Sequence, residues 1–232
     1  MCKARAVAAD TDGSRRGGRA VPIIGVVGGI GSGKSAVARA FAEVGCLVSD
    51  SDAATRAVLE SPDAKALFVE WWGPAVIADD GTADRAAIAK IVFADAAERK
   101  RLESVTHPAA RRDREAVIRR AEAEGAAGVV SGVVVDAPLL FEAGLDAGCD
   151  LVVFVDVPRA VRVRRVAGRG WDAAELDRRE AAQMSLGEKR ERADVVIDNS
   201  GPLERLGPAV VAALGEARRR WAARAGDPRA GR

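Results

Sequence analysis

The segment "GGIGSGKSAVARAF", residues 28–41, decides how this chain folds around a ligand. Gly28, Gly33, Lys34 and Ser35 satisfy every fixed position of the G-x-x-x-x-G-K-[ST] pattern. In such a loop the backbone N–H groups point at phosphate oxygens, which requires close approach and unusual dihedral angles that glycine permits. The segment therefore predicts a phosphate-binding loop at the start of a helix.

The residues around this loop have the pattern that such a loop requires. An apolar, β-branched run at 21–27 predicts a buried strand, and apolar residues at helical spacing follow Lys34 until Gly45. Another short apolar run at 46–48 completes a strand–loop–helix–strand unit, which predicts a parallel sheet. Lys34 is then expected to reach the β- and γ-phosphates of a nucleoside triphosphate, and the Ser35 hydroxyl to contact Mg²⁺.

The rest of the chain completes an α/β pattern. Residues 53–128 read as helical, with His107-Pro108 expected to interrupt the pattern before a helix at about 109–124. Apolar runs that each end in aspartate, at 129–136 and 150–156, predict buried parallel strands. We expect a three-layer P-loop NTPase core with a parallel sheet, an inserted helical substrate lobe and a helical lid.

The domain boundaries follow from this pattern. One domain spans 21–224, with its core at 21–52 and 129–224, the lobe at about 53–128 and the lid at about 159–190. A disordered extension (1–20) and a flexible tail (225–232) flank it.

Composition limits the classes of function. Net charge is only +2 from 36 basic and 34 acidic residues, which gives no reason to expect a nucleic acid partner. Three separated cysteines and a single histidine argue against a zinc site or a disulfide framework, so a reducing, cytoplasmic location is expected. The sequence predicts no membrane span and shows no obligate protein partner.

The stretch "VSDSD" (48–52) bears on what happens to the phosphate. If it stays extended, Asp50 and Asp52 face the same side, at the end of the sheet where ligands bind. One carboxylate would then orient an attacking hydroxyl while the other holds Mg²⁺ or its waters. Alternatively the stretch is an acidic turn in which Asp52 caps a helix that begins at Ala53.

A series of arginines is a second indication that the phosphate is transferred to an acceptor rather than hydrolysed. Arg162, Arg164, Arg165 and Arg169 lie on a pattern of helix, loop and helix, which is typical of a lid that closes over a nucleotide and excludes water. The alternative is an exposed amphipathic helix in an arginine-rich chain. A GTPase switch is disfavoured because no NKxD stretch occurs, and a DNA-dependent ATPase because aromatic residues make up only 4%.

Five motifs in one order resemble the dephospho-CoA kinase family. They are GGIGSGKS, D-x-D, HP, PLLFE and AD-x-VIDN-x-G, and the similarity extends from about residue 23 to 201. The resemblance implies that ATP phosphorylates the ribose 3′-hydroxyl of dephospho-CoA, the last step of coenzyme A synthesis. The rival interpretations are another small-molecule P-loop kinase, acting on a nucleoside or nucleotide, and a nucleotide-dependent switch.

The resemblance also implies roles for particular residues. Asp52 resembles the catalytic aspartate that prepares the hydroxyl, with Lys34 and Arg165 stabilising the transferred phosphoryl group. Asp136 is the expected aspartate for Mg²⁺ beside Ser35, in preference to its rival Asp156. The implied substrate-binding residues are Arg56, His107, Pro138 and Leu139, and the implied ATP-binding residues are Gly29, Ile30, Gly31, Ser32, Gly33, Lys34, Ser35, Ala36, Arg169 and Asn199.

Three positions depart from the family's usual pattern. Ser49 replaces a commoner apolar residue before the first aspartate, and Ala36 stands where threonine is usual. The segment "GRGW" (168–171) has fewer acidic residues than lids of this family. None of these changes removes a group that the chemistry needs.

Overall fold

The computed structural model of the chain describes residues 19–225. The predicted extension lies outside the described residues except for Arg19 and Ala20, and the predicted tail lies outside them except for Ala225. The five strands of this part of the chain are β1 (Ile23–Gly28), β2 (Cys46–Asp50), β3 (Gly132–Asp136), β4 (Leu151–Asp156) and β5 (Val195–Asp198). All pair in parallel, in the order β2-β3-β1-β4-β5, which confirms the predicted α/β fold.

Helices connect the strands and cover the sheet. Between β2 and β3 the chain is helical, as expected. Between β4 and β5 the predicted helix, loop and helix are present, and a third short helix follows them. The helices are α1 (Lys34–Glu43), α2 (Ser51–Leu59), α3 (Pro62–Trp72), α4 (Arg85–Ala94), α5 (Ala96–Ala126), α6 (Arg159–Ala167), α7 (Ala173–Glu180), α8 (Leu186–Arg192) and α9 (Leu206–Ala225). Short 3₁₀ turns occupy Pro74–Val76, Leu145–Gly148 and Leu203–Arg205.

The sheet is buried on both faces because its apolar residues alternate between two cores. On β1, Ile24 and Val26 pack with α1 and α9, whereas Ile23 and Val27 pack on the opposite face with α5 and α8. Strands buried on both sides need continuous apolar runs, which explains the composition of β1, β3 and β4. The three layers hold the carboxyl ends of the strands fixed, and the site is built there.

The prediction that His107-Pro108 interrupts the helical pattern is wrong. Helix α5 runs unbroken for 31 residues, with Pro108 inside it and Asp95 accepting a hydrogen bond from Ala97 N–H as the N-cap. An internal proline costs about 3 kcal/mol because it removes one backbone donor and crowds the preceding turn. Packing of α5 against α2, α4 and the sheet outweighs this cost.

The tryptophans of α3 are packing residues, as is usual for large aromatic side chains. Phe68 is fully buried and stacks on Trp72 with 5.4 Å between ring centroids, while Trp71 lies edge-on to Trp72. Trp72 Nε1 donates to Glu98 Oε2 at 2.6 Å on α5. This cluster joins α3 to α5 and gives the helical segment between β2 and β3 a core of its own.

A buried carboxylate joins the two ends of the described chain. Asp150 accepts hydrogen bonds from Ile23 N–H at 2.8 Å and from Arg19 at 2.8 and 2.9 Å, and Arg224 of α9 approaches it at 3.3 Å. Arg19, which the sequence placed in the extension, is thereby attached to the start of β4. The removal of a charge that is buried among its partners leaves those partners unpaired.

We therefore expect Asp150→Asn to lower the free energy of unfolding by about 3 kcal/mol. The measurement is urea unfolding of parent and variant. Glu124→Gln is the control, because Glu124 pairs with Arg120 on the exposed side of α5 and should cost below about 0.5 kcal/mol. Equal losses for the two variants would contradict the role given to Asp150.

Candidate active site

Several positions in and beside the loop between β1 and α1 require glycine. Gly31 and Gly33 have φ angles of +77° and +83°, in the left-handed region. A Cβ on Gly33 would lie 2.4 Å from Asn199 Nδ2, and a Cβ on Gly28 would lie 2.8 Å from the Val155 carbonyl oxygen. The loop thus lies directly against β4 and the turn after β5, and the N-terminus of α1 opens from it.

Two side chains from later in the sequence hold this loop. Asn199 Nδ2 donates to the Ser32 carbonyl at 2.8 Å. Arg165 of α6 donates to the same carbonyl at 3.2 Å and to the Asn199 carbonyl at 2.8 Å. The contacts that the sequence assigned to Arg165 with phosphate and to Asn199 with adenine stay predictions, whereas in this conformation both side chains bind the loop backbone.

Two buried polar atoms beside the loop lack a protein partner within residues 19–225. They are Ser32 Oγ and Asn199 Oδ1. Buried polar atoms in folded proteins are nearly always hydrogen-bonded. Their position next to a phosphate-binding loop fits a site that receives a polar ligand.

Lys34 lies folded over its own loop. Its ammonium group is 3.3 Å from the Gly28 carbonyl and 3.4 Å from the Gly29 carbonyl. Burial lowers the pKa of Lys34, the carboxylates of Asp136 and Asp52 oppose that change, and the positive charges of Lys189 and Arg169 add to it. Lys34, Asp136 and Asp52 are therefore close enough for their charges to interact.

Asp136 closes β3 beside the start of α1. Ser35 Oγ donates to Asp136 Oδ2 at 3.4 Å, so a hydroxyl and a carboxylate oxygen lie side by side. Burial raises the pKa of Asp136 to about 6; Lys34 opposes the rise, and the charges of Asp50 and Asp52 add to it. Asp156, the rival for this position, instead forms an ion pair with Arg190 on α8.

The structure corrects both readings of "VSDSD". Strand β2 ends at Asp50 and α2 begins at Ser51, so the stretch does not stay extended through Asp52. The helix cap is Asp50, whose carboxylate accepts from Ala53 N–H at 2.8 Å, and Asp52 lies in the first turn. The carboxylate of Asp50 is therefore engaged as the helix cap. The carboxylate of Asp52 is exposed, and its charge interacts with that of Lys34.

The four predicted substrate-binding residues lie on three segments of the chain. Arg56 is on α2, with its guanidinium 3.8 Å from Asp50, and His107 is exposed on α5. Pro138 and Leu139 follow β3, and the side chain of Leu139 is 45% exposed. Arg56, Pro138 and Leu139 thus lie shortly after the carboxyl ends of β2 and β3 in the chain, and the contact of all four residues with a substrate stays a prediction.

A groove runs along the helices between β2 and β3. Its volume is about 400 Å³, and it begins about one and a half turns after Asp52 on α2. Its lining is mostly apolar with one basic and one acidic residue, namely Ala57, Val58, Ser61, Asp63, Ala64, Leu67, Val105, Ala109 and Arg112. By its lining, the groove can accept a largely uncharged group.

Sequence analysis missed a fully buried lysine close to Lys34. Lys189 Nζ lies 3.1 Å from Glu142 Oε1, 3.0 Å from the Pro138 carbonyl and 3.2 Å from Gln183 Oε1. It thereby ties α8 to the segment after β3 that holds Pro138 and Leu139. The signal was available, since Lys189 shares a helical stripe with Leu186 and Ala193, both partly buried.

Comparison with known proteins places these features in one family. The family model described as dephospho-CoA kinase matches residues 22–205. The dephospho-CoA kinase of Deinococcus radiodurans is 45% identical over 82% of this chain and 90% of its own length. The one from Geobacter sulfurreducens is 44% identical over 79% of this chain and 92% of its own length.

Solved structures agree with the fold. A crystal structure from Thermus thermophilus is 38% identical with a TM-score of 0.69, over 84% of this chain and 97% of that one. The dephospho-CoA kinase of Campylobacter jejuni is 19% identical with a TM-score of 0.53, over 85% of this chain and 98% of that one, and it supports the fold alone. Within residues 19–225, no helix has the length and apolar character that crossing a bilayer demands.

We predict a pH-dependent effect of Asp136→Asn on the protein without nucleotide or metal. The parent carboxyl, with its pKa raised from 3.8 to about 6, binds its proton more tightly when folded. Its ionisation therefore costs stability as the pH rises through this interval, by about 3 kcal/mol once the pH exceeds 6. The asparagine variant avoids this cost.

The expected result is a Tm above that of the parent at pH 8, with the difference shrinking as the pH falls from 6 toward 4. Thermal unfolding across this pH series measures it. A Tm difference that stays constant with pH would contradict the raised pKa of Asp136.

Proposed function

This chain belongs to the dephospho-CoA kinase family, and we propose that it transfers the γ-phosphate of ATP to the ribose 3′-hydroxyl of dephospho-CoA. The products are coenzyme A and ADP. The observation that supports this most directly is the placement of the exposed Asp52 carboxylate within electrostatic range of Lys34, at the phosphate loop. A donor site and a proton acceptor then share one cleft.

The donor half of the site is the loop with Lys34 and the N-terminus of α1. Its backbone amides and the lysine hold the phosphates, with the residues 29–36 predicted from sequence as the contacts, apart from the Ile30 amide, which donates to Glu180 in this conformation. Arg169 adds positive charge, since it is close enough to Lys34 to lower the lysine's pKa. Arg165 of α6 donates hydrogen bonds to two carbonyls of the loop, so this helix lies beside the phosphate loop.

Mg²⁺ fits the oxygen pair at the start of α1. The Ser35 hydroxyl and the Asp136 carboxylate are hard oxygen donors, which suit Mg²⁺ bound through few protein ligands and the phosphates of its nucleotide. These two residues would hold the ion. When bound, it would neutralise charge on the phosphates.

The acceptor half of the site centres on Asp52. Its carboxylate accepts the proton of the 3′-hydroxyl while the hydroxyl oxygen bonds to the γ-phosphorus and the bond to the β-phosphate oxygen breaks. ADP leaves with that oxygen. Catalysis is mostly positioning of the two reactants and stabilisation of charge by the cations of the loop.

The groove along α2, α3 and α5 suits the remainder of the acceptor. Dephospho-CoA carries a long pantetheine arm with amide and apolar groups, and the groove is mostly apolar with Arg112 and Asp63 in its lining. Val105 and Ala109 line it from α5, whereas His107, two residues from each, lies on another face of that helix, so its role as a substrate-side residue stays a prediction. We propose that the arm lies in this groove.

The test of the function is ATP turnover with and without dephospho-CoA, beside nucleosides and nucleoside monophosphates. We expect ADP release to depend on dephospho-CoA and phosphorylated product to be coenzyme A. Phosphorylation of a nucleoside but not of dephospho-CoA would move the assignment to another small-molecule kinase. Release of ADP that ignores every acceptor would favour a nucleotide-dependent switch.

Asp52→Asn is expected to lower kcat at least about 100-fold while ATP still binds, because the amide cannot take the hydroxyl's proton. Initial rates and ATP titration measure the two properties. Asp50→Asn is the matched control two residues away, since asparagine caps a helix about as well as aspartate. A variant at Asp52 that transferred phosphate at the parent rate would contradict the role of this residue.

A further inference from the structure

An ion pair that sequence analysis did not anticipate lies against the phosphate loop. Arg162 of α6 is only 5% exposed, and its NH1 donates to Glu180 Oε1 at the end of α7. Its Nε donates to the Val157 carbonyl at 3.2 Å. A guanidinium with these partners is fixed, so it is not one of the mobile arginines of a closing lid.

The pair reaches the loop through the same carboxylate oxygen. Glu180 Oε1 also accepts from Ile30 N–H at 3.2 Å, an amide that the sequence assigned to ATP. The pair packs on Gly29, where an added Cβ would lie 3.0 Å from both Arg162 NH1 and Glu180 Oε1. The first half of the loop therefore has a protein carboxylate as its partner.

The negative charge of a carboxylate beside a phosphate-binding loop needs a neighbouring positive charge to neutralise it. Unpaired, it would repel the phosphates that the loop binds, and in a partly buried place that repulsion is poorly screened. Arg162 supplies the opposite charge at hydrogen-bonding distance. Together the two side chains offer the Ile30 amide an acceptor without leaving a net negative charge beside it.

We infer that Glu180 and Arg162 are positioning residues for the phosphate loop: Glu180 fixes the Ile30 amide, and Arg162 cancels the charge of Glu180. The loop then holds its phosphate-binding conformation before the nucleotide arrives, which removes an ordering cost from binding. The inference deepens the proposed function and rests on its use of ATP.

The chain provides a matched control on the same two helices. Arg159 of α6 and Asp177 of α7 form an ion pair with the same spacing of 18 residues, one turn earlier on each helix. Their side chains are 53% and 57% exposed. Asp177→Ala breaks this second link between α6 and α7 without touching the loop.

The experiment measures the Kd for Mg²⁺·ATP by calorimetry without acceptor, beside Tm and hydrogen exchange of residues 28–33. We expect Glu180→Ala to weaken ATP binding about fivefold and to speed exchange of the loop amides. Arg162→Gln should weaken it at least about tenfold, since it leaves an unpaired carboxylate near the phosphates. Asp177→Ala should leave both the Kd and the exchange at parent values.

Conservative variants separate positioning from general stability. Glu180→Gln keeps an oxygen for the Ile30 amide, so its Kd should stay within about threefold of the parent. Arg162→Gln combined with Glu180→Gln removes both charges and should recover most of the affinity that Arg162→Gln alone loses. Rescue by removal of a second charge is a result that a merely structural pair would not give.

The inference is overturned if Glu180→Ala lowers Tm but leaves loop exchange and the Kd within twofold of the parent. It is overturned equally if the double variant binds ATP no better than Arg162→Gln. Hydrogen exchange needs neither nucleotide nor acceptor. A parent that fails to phosphorylate dephospho-CoA would therefore defeat the proposed function while the exchange result still decides the role of Glu180.

Discussion

Close approach of backbone to backbone at the phosphate loop is the constraint on which the rest of this structure depends. A Cβ on Gly28 would lie within 3 Å of the Val155 carbonyl, and one on Gly33 would overlap Asn199. The loop can lie this close to β4 and to the turn after β5 only because these positions carry no side chain.

The loop is held by side chains that arrive from distant parts of the chain. Asn199 and Arg165 bind its later carbonyls, whereas Glu180, neutralised by Arg162, binds an early amide. Lys189 performs a similar task near Pro138, where it joins α8 to the segment after β3. Helices α6, α7 and α8 therefore carry contacts to the phosphate loop and to the segment after β3. Under the proposed function, these contacts would help to position donor and acceptor together.

Charges of opposite sign lie close to one another beside the phosphate loop. Lys34 is half-buried beside Asp136 and Asp52, and desolvation disfavours the charged form of both the lysine and Asp136. An ionised Asp136 is costly to the folded protein, and a bound cation would relieve that cost. The Ser35–Asp136 pair is thus suited to a cation, while Asp52, exposed in the first turn of α2, is suited to receive a substrate hydroxyl.

The sequence by itself determined the fold class, the phosphate loop, the parallel strands and Asp136 at the end of β3, because these depend on local pattern and on glycine. Tertiary structure decided the rest. Pro108 stays inside α5 because packing exceeds its local cost, and Asp50 rather than Asp52 caps α2 because the strand ends there. The pairing of Glu180 with the loop depends on contacts 150 residues apart in sequence, which no local pattern encodes.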